Sequence, residues 1–284
     1  MLHFSEDLDL VCCIDCSGHL KADKNKAELT CADCGKRYPI VENVPYFCMI
    51  KKNVVPAAGL SSAEDKSSWS KWRQQNFEFS KNVLKDVSRK DVIVDIGSGR
   101  GHFRQLFSDF KKRLAIDFYP YPGVDVVADI TQKIPICSDL ADVILLSNVL
   151  EHTPEPQRLL TECHRILKPG GGRLIILVPF IIKIHQAPYD FYRYTAFALE
   201  YLLDRAGFKK YAITSLGDLL DIHELIHTAT IKRISKSVRT RRAKLELRMI
   251  HKSQHWIAVR LRKIAKDISQ DPDYIQGYGC LAFK

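Results

Sequence analysis

No apolar run in this 284-residue chain is long enough to cross a bilayer. The longest, LIILVPFIIKI, is broken by Pro179 and Lys183, whereas a spanning helix needs about twenty apolar residues in succession. The N-terminal stretch MLHFSEDLDL has neither a basic segment nor an apolar one behind it, so no secretory signal is read there. Nine cysteines without an export signal suit a reducing compartment, where thiols serve as metal ligands or small core residues rather than as disulfides. A cytoplasmic chain, able to lie against a membrane face, is the expectation. Acids are nearly missing from one segment: residues 228–266 hold 13 Lys or Arg and a single acid, Glu246. The remainder carries 30 basic and 32 acidic residues, so the net charge of +10 is a local device rather than a global property. That argues for docking to a phosphate-bearing surface, with a merely solvated helix face as the plainer alternative.

What is present divides the chain. Cys13-x2-Cys16 and Cys31-x2-Cys34, with 14 residues between the pairs, have the spacing of a four-thiolate zinc ribbon. Each pair sits on a tight knuckle, and Gly18 and Gly35 supply the backbone freedom such turns need. Four thiolates leave no open coordination position, so the metal is expected to be structural, adding the folding energy that about forty residues cannot find in their own core. Cys12 adjoins Cys13 as an alternative ligand, but it spoils the x2 spacing. CIDCSGHL and CADCGKRYPIVENVPYF resemble the zinc-ribbon family of the small activator subunit of tRNA and translation-factor methyltransferases. The resemblance covers residues 10–47 and rests on Cys13, Cys16, Gly18, Leu20, Cys31, Cys34, Gly35, Tyr38, Pro39, Ile40 and Pro45; Ile14 stands where Pro is usual.

Small and polar residues over 51–68 read as a linker, and Trp69, Trp72, Phe79 and Val83 recur near helical spacing after it. From residue 91, short apolar runs (DVIVDI, RLAID, DVVAD, ADVILLSN, RLIILVP and KKYAITSL) alternate with amphipathic segments. This pattern predicts an α/β, Rossmann-like doubly wound sheet, with ligands outside the carboxyl ends of its strands. After the first strand comes VDIGSGRGHF, and the glycine that a dinucleotide fingerprint wants at position 102 is absent: His102 stands there. A pyrophosphate cradle is disfavoured. The other user of such a turn is S-adenosylmethionine, with an acid ending the next strand, Asp117, for the ribose hydroxyls, and Asp129 after the third for the adenine amino group.

The ordered series VDIGSGRG, AID, ADI, ADVILLSNVLEH, LLTECHRILKPGGGRLIILVP and LLDRAGF looks like the class I S-adenosylmethionine-dependent methyltransferases, closest to the subgroup that includes the quinone-biosynthesis C-methyltransferases. The match runs from about residue 90 to 215. It implies a seven-stranded sheet whose last strand, YIQGYGCLAFK, is antiparallel, and cofactor contacts at Asp95, Gly97, Ser98, Gly99, Gly101, Asp117, Asp129, Ile130 and Asn148. It also implies an order of a zinc-ribbon module over 1–50, the linker over 51–68, a methyltransferase core over 69–217, a basic helical insertion over 218–273 and a closing strand over 274–284.

Methyl transfer is a displacement at a sulfonium carbon, so the protein supplies orientation and sometimes a base. His152, in LEH, either shapes the pocket or acts as that base, while His185 oriented by Asp190 is a second candidate pair. Alternatively Asp190 and Arg193 form a structural ion pair and Thr195 caps the helix TAFALEYLLDRAG. The loop KIHQAPYDFYRYT resembles that of a subset of these enzymes found with surface-glycan or glycolipid genes. In the insertion, Ile257, Leu261, Ile264 and Ile268 form a helical apolar stripe opening with Trp256, and Arg260, Arg262, Lys263 and Lys266 lie on or beside the other face. Such a helix over 228–268 suits an anionic membrane surface; RNA would use the same charges, and the stripe could instead pack back on the core. The leading expectation is a methyltransferase acting at the cytoplasmic membrane surface on a lipid-linked glycan, an isoprenoid or a similar acceptor. The alternatives are an RNA methyltransferase that docks through ribbon and insertion, and a non-catalytic partner subunit whose ribbon binds another protein.

Overall fold

The computed structural model describes residues 8–23, 27–49, 69–264 and 274–284. The expected linker over 51–68 lies outside the described residues, as do Lys266 and Ile268. The N-terminal segment forms a small antiparallel sheet of β1 (Leu20–Asp23), β2 (Glu28–Cys31), β3 (Arg37–Val41) and β4 (Val44–Pro45), in that order. Helix α1 (Lys71–Val83) follows, with the Ser70 side chain accepting the Arg73 amide as its N-cap.

The large sheet has seven strands: β5 (Val92–Ile96), β6 (Lys112–Asp117), β7 (Val126–Val127), β8 (Val143–Ser147), β9 (Arg173–Pro179), β10 (Lys210–Leu216) and β11 (Gly277–Phe283). Their order is β10-β11-β9-β8-β5-β6-β7, and β11 runs antiparallel to both neighbours as the sequence pattern implies. Strands β5, β8 and β9 are apolar and buried on both faces, which is why they read as continuous hydrophobic runs. Helices α2 (Pro156–Ile166) and α3 (Ala196–Ala206) pack their buried Leu159, Leu160, Cys163, Leu199 and Leu203 into the same core. Thr195 caps α3 through the Ala198 amide, and Gly207 closes it at φ 102°, a left-handed turn that favours glycine.

Sequence and structure part company at the first knuckle. The left-handed residue there is Ser17, with φ 64°, and not Gly18. A Cβ on Gly18 would lie 2.2 Å from the carboxylate of Asp33, an exposed side chain that is free to swing aside. Gly35 does take the left-handed turn, at φ 72°. Cys12, which spoils the x2 spacing, stands outside the cysteine cluster. Its amide donates to the Pro135 carbonyl at 3.2 Å, and its thiol, raised by contact with Cys137 and by burial, turns away from the cysteine cluster. Val11 bridges Ile136 antiparallel and Tyr46 bridges Val127 parallel, so the small sheet is stitched to the edge of the large one. Val11, Leu29, Tyr38 and Phe47 belong to one hydrophobic cluster with Val126, Ile134 and Ile136. The core that forty residues lack is thus completed by the larger domain.

Between β10 and β11 the insertion is a helical hairpin, α4 (Leu219–Ser237) and α5 (Arg241–Ile264). Asp218 and Asp221 form a capping box at the start of α4. Arg262, expected beside the solvent-facing charges, is instead an anchor: its guanidinium binds Asp218 at 2.8 Å and also Asp221, which receives Lys71 and, at 2.9 Å, Gln75 of α1. Two acids at a helix start, Asp221 buried and Asp218 partly so, need cations, and Arg262 is placed to supply one. Glycines in β11 let α1 lie directly on the sheet. A Cβ at Gly277 would sit 2.4 Å from both the Trp72 ring and the Val178 carbonyl oxygen, and backbone cannot yield to it. Gly277→Ala is expected to destabilise the chain by about 2 kcal/mol, seen as a lower denaturant midpoint; an unchanged midpoint would show that α1 is not held where described.

Candidate active site

The carboxyl ends of β5, β6, β8 and β9 form one rim, because the parallel register sets Ile96 opposite both Ile116 and Leu146, and Ser147 opposite Leu177. Leaving β5, the chain turns through Gly97, Gly99 and Gly101 at φ 72°, 54° and 72°, conformations that L side chains rarely adopt. Gly97 is also a point of close approach, since a Cβ there would lie 2.5 Å from Val149 of the neighbouring strand end. Asp117 ends β6 and its carboxylate accepts the Gly99 amide at 2.7 Å and the Tyr119 amide at 2.9 Å, so the acid fixes the glycine turn. Burial pushes the Asp117 carboxyl upward while these amides oppose it. Asp95, buried at the end of β5 and facing the negative charge of Asp117, is pushed up to about 7.

The other residues expected at a cofactor are placed as follows. Ser98 has a buried hydroxyl oxygen without a protein partner. Asp129 accepts the Thr131 amide at 2.9 Å and its hydroxyl at 2.6 Å, and Ile130 packs against the core. Asn148 is left-handed, φ 55°, and its side-chain oxygen accepts the Trp72 indole N–H at 2.8 Å. Trp72 was not singled out for this from the sequence; it ties α1 across the rim, and the nearby Trp69 ring stands edge-on to His102. Such a turn can hold S-adenosylmethionine: the glycines keep side chains out of the space above it, the Ser98 hydroxyl has no protein partner, and each Asp117 oxygen keeps a lone pair for a ribose hydroxyl.

Beyond β8, a 3₁₀ turn over Leu150–His152 carries Glu151, a second residue passed over in the sequence. Glu151 is 0% exposed, neither carboxylate oxygen has a hydrogen-bond partner, and burial pushes its carboxyl up to about 8. The loop after β9 folds over it, the amides of Phe191 and Tyr192 donating to its main-chain carbonyl at 2.9 and 3.3 Å. This brings His185 to His152, ring centroids 4.7 Å apart. Burial lowers His152, and its Nδ1 meets the Tyr189 carbonyl at 2.6 Å. Asp190 does two things at once: it binds Arg193 at 2.6 and 2.9 Å, and its Oδ2 accepts the His185 amide at 2.8 Å and lies 3.5 Å from His185 Nδ1. The Arg193 guanidinium holds the Asp190 carboxyl well below the usual range. Around the loop, Ile184, Tyr189, Phe191, Tyr192 and, at 80%, Phe197 are exposed.

In the small sheet, the sulfurs of Cys13, Cys16, Cys31 and Cys34 all lie within 4.8 Å of one another, with Cys13–Cys34 at 3.6 Å and Cys16–Cys31 at 3.4 Å. A tetrahedral ion with metal–sulfur bonds of about 2.3 Å has sulfurs about 3.8 Å apart, so the cluster fits zinc. Burial opposes ionisation of Cys13, but the Tyr38 hydroxyl at 3.1 Å and knuckle amides outweigh it and bring the thiol down to about 6.

Comparison with known proteins agrees with the fold. A family profile for the methyltransferase domain matches residues 64–213. Uncharacterized methyltransferases of Mycobacterium leprae (strain TN) and Mycobacterium tuberculosis (strain H37Rv) are 33% and 35% identical over 99 residues, 30% of this chain and 36% and 38% of theirs. The chain therefore spans little more than a third of the length of these relatives. Among solved structures, an S-adenosylmethionine-dependent methyltransferase from Archaeoglobus fulgidus is 18% identical, with a TM-score of 0.46 and coverage of 73% of this chain and 94% of that one. A complex of the Haloferax volcanii Trm112 methyltransferase activator with a methyltransferase gives 22% identity, a TM-score of 0.43 and coverage of 52% and 74%. The profile takes in more than half of the sequence and spans the glycine turn, Asp117 and the Glu151 turn alike: the chain belongs to the methyltransferase-domain family, as a class I S-adenosylmethionine-dependent member.

Proposed function

We propose that this protein methylates a lipid-linked acceptor, a glycan or isoprenoid, while resting on an anionic membrane surface. No helix among the described residues is long and apolar enough to cross a membrane, so contact would be lateral. The observation that carries the reading is the exposed face of α5: Trp256 is 61% and Ile264 77% exposed, with Ile257 and Leu261 between them, and the Arg260 guanidinium lies 5.4 Å from the Trp256 ring centre. An aromatic ring, an apolar stripe and a surplus of cations together suit the interfacial layer, where RNA would need the cations alone. The exposed aromatics beside the rim give an apolar acceptor a path to it.

S-adenosylmethionine, when bound, supplies a methyl group on a positively charged sulfur. Asp95, Gly97, Ser98, Gly99, Gly101, Asp117, Asp129, Ile130 and Asn148 are the residues we assign to holding it. On the acceptor side we assign His185, oriented by Asp190, and His152, which shape the place where the acceptor meets the methyl group. Cys13, Cys16, Cys31 and Cys34 hold a structural zinc in this reading. A second chain on the ribbon is not required, because β7 and the 134–137 segment already occupy one face of it.

The test is flotation with vesicles of phosphatidylcholine, with and without phosphatidylglycerol, joined to transfer of labelled methyl from S-adenosylmethionine to a lysate. Binding is expected only with the anionic lipid, and label is expected in the organic phase. Replacing Arg239, Arg241 and Lys244 with Gln removes about 1 kcal/mol each, a loss of roughly 100-fold in partitioning. Equal binding to neutral vesicles, or label lost to RNase, overturns the reading.

A further inference from the structure

Three side chains at the Leu150–His152 turn present only acceptors to one another. His152 has its Nδ1 at 2.6 Å from the Tyr189 carbonyl oxygen, and His185 has its Nδ1 at 3.3 Å from that of Lys183. A carbonyl oxygen can only accept, so each ring carries its proton on Nδ1 and leaves Nε2 bare. Both bare nitrogens face the same atom: Glu151 Oε1 is 3.7 Å from His152 Nε2 and 3.9 Å from His185 Nε2. Glu151 has no solvent exposure, and neither its carboxylate oxygens nor His152 Nε2 has a hydrogen-bond partner. The nearest guanidinium, that of Arg193, is spent on Asp190.

One proton, shared by Glu151 and one imidazole, could satisfy one pair in this group and would leave the other Nε2 without a partner inside it. A cation among them serves all three at once. Donor atoms around an ion with bonds of about 2.1 Å stand about 3.0–3.4 Å apart, and the three ligand atoms here already lie within 4.8 Å of one another. Pinning each imidazole by a carbonyl on its far nitrogen is what fixes a ligating histidine's tautomer and orientation. Two imidazoles and one carboxylate form a borderline set, suited to first-row divalent ions more than to the all-oxygen shells of calcium or magnesium.

We propose that Glu151, His152 and His185 bind a divalent transition-metal ion whose open positions receive an oxygen of the methyl acceptor. The acceptor half of this statement rests on the methyltransferase reading; the binding half does not. With the ion in place the acceptor hydroxyl is acidified and gives its proton to water. Its oxygen then bonds to the methyl carbon as the carbon–sulfur bond breaks, the electron pair passing to sulfur and leaving a neutral thioether. Asp190 is a positioning residue in this scheme, holding the His185 backbone.

The probe is Co²⁺, titrated into zinc-loaded full-length protein, with bound cobalt measured after desalting and its visible spectrum recorded. One equivalent is expected, with the weak absorption of a nitrogen and oxygen site and without the intense thiolate-to-cobalt band that exchange into the cysteine cluster would give. Glu151→Gln and His185→Gln should each weaken binding at least tenfold, and equilibrium dialysis of the same variants against S-adenosylmethionine reports whether the rim is intact. Wild-type protein that takes up no cobalt outside the cysteine cluster, or variants that bind it as tightly as wild type, overturns the metal site. S-adenosylmethionine binding without cobalt leaves the methyltransferase reading standing and removes the ion; cobalt binding without S-adenosylmethionine does the reverse.

Discussion

Replacing Asp117 with alanine lowers affinity for S-adenosylmethionine by about 100-fold, close to 3 kcal/mol. Two losses combine. The ribose hydroxyls lose a charged acceptor, and hydrogen bonds to charged groups contribute about 1.5–3 kcal/mol each. The glycine turn also loses its tether, because the same carboxylate holds the Gly99 amide at 2.7 Å and the Tyr119 amide at 2.9 Å. Asp117→Asn keeps one acceptor oxygen and should fall between the two, separating the tether from the charge. Isothermal titration of the three proteins decides it: equal affinities in all three would remove Asp117 from the cofactor site.

Cys31→Ser, or removal of the metal by a strong chelator, is expected to lower the thermal midpoint of the whole chain by roughly 10 °C. A free-standing ribbon would melt alone and leave the catalytic core untouched. Here Leu29 and Tyr38 share a cluster with Ile134 and Ile136, so loosening the thiolate cage strips cover from residues of the large sheet. A metal held by the four thiolates would add its binding energy to the folding of the module, and through that shared cluster part of it would stabilise the sheet edge. Calorimetry with metal analysis reads both. If zinc stays at one per chain the ligand set is wrong, and if the main transition does not move the module is not part of the cooperative unit.

Features fixed by neighbours in the chain were legible without coordinates. The cysteine pairs, the Thr195 cap and the apolar strands obey local geometry, so spacing and periodicity report them directly. Arg262 was misread for the opposite reason: its partner, Asp218, lies 44 positions away in sequence, and periodicity carries no information about it. Glu151 was visible and passed over. An acid between Leu150 and His152, in a stretch that otherwise reads as a buried turn, is the signal; what the sequence withheld was that its oxygens would have no partner.

The stitching of the small sheet to the large one sets an order of events during synthesis. Val11 and Tyr46 pair with Ile136 and Val127, so the N-terminal segment leaves the ribosome some eighty residues before its docking partners exist. At about 5–20 residues per second, that interval lasts roughly 4–16 s. Throughout it Val11 and Phe47 lack the cover that Val126, Ile134 and Ile136 later give them, and four thiols that can gather one ion would help the module hold its shape. An early metal load would therefore decide whether a prepared template is waiting when the edge strand emerges.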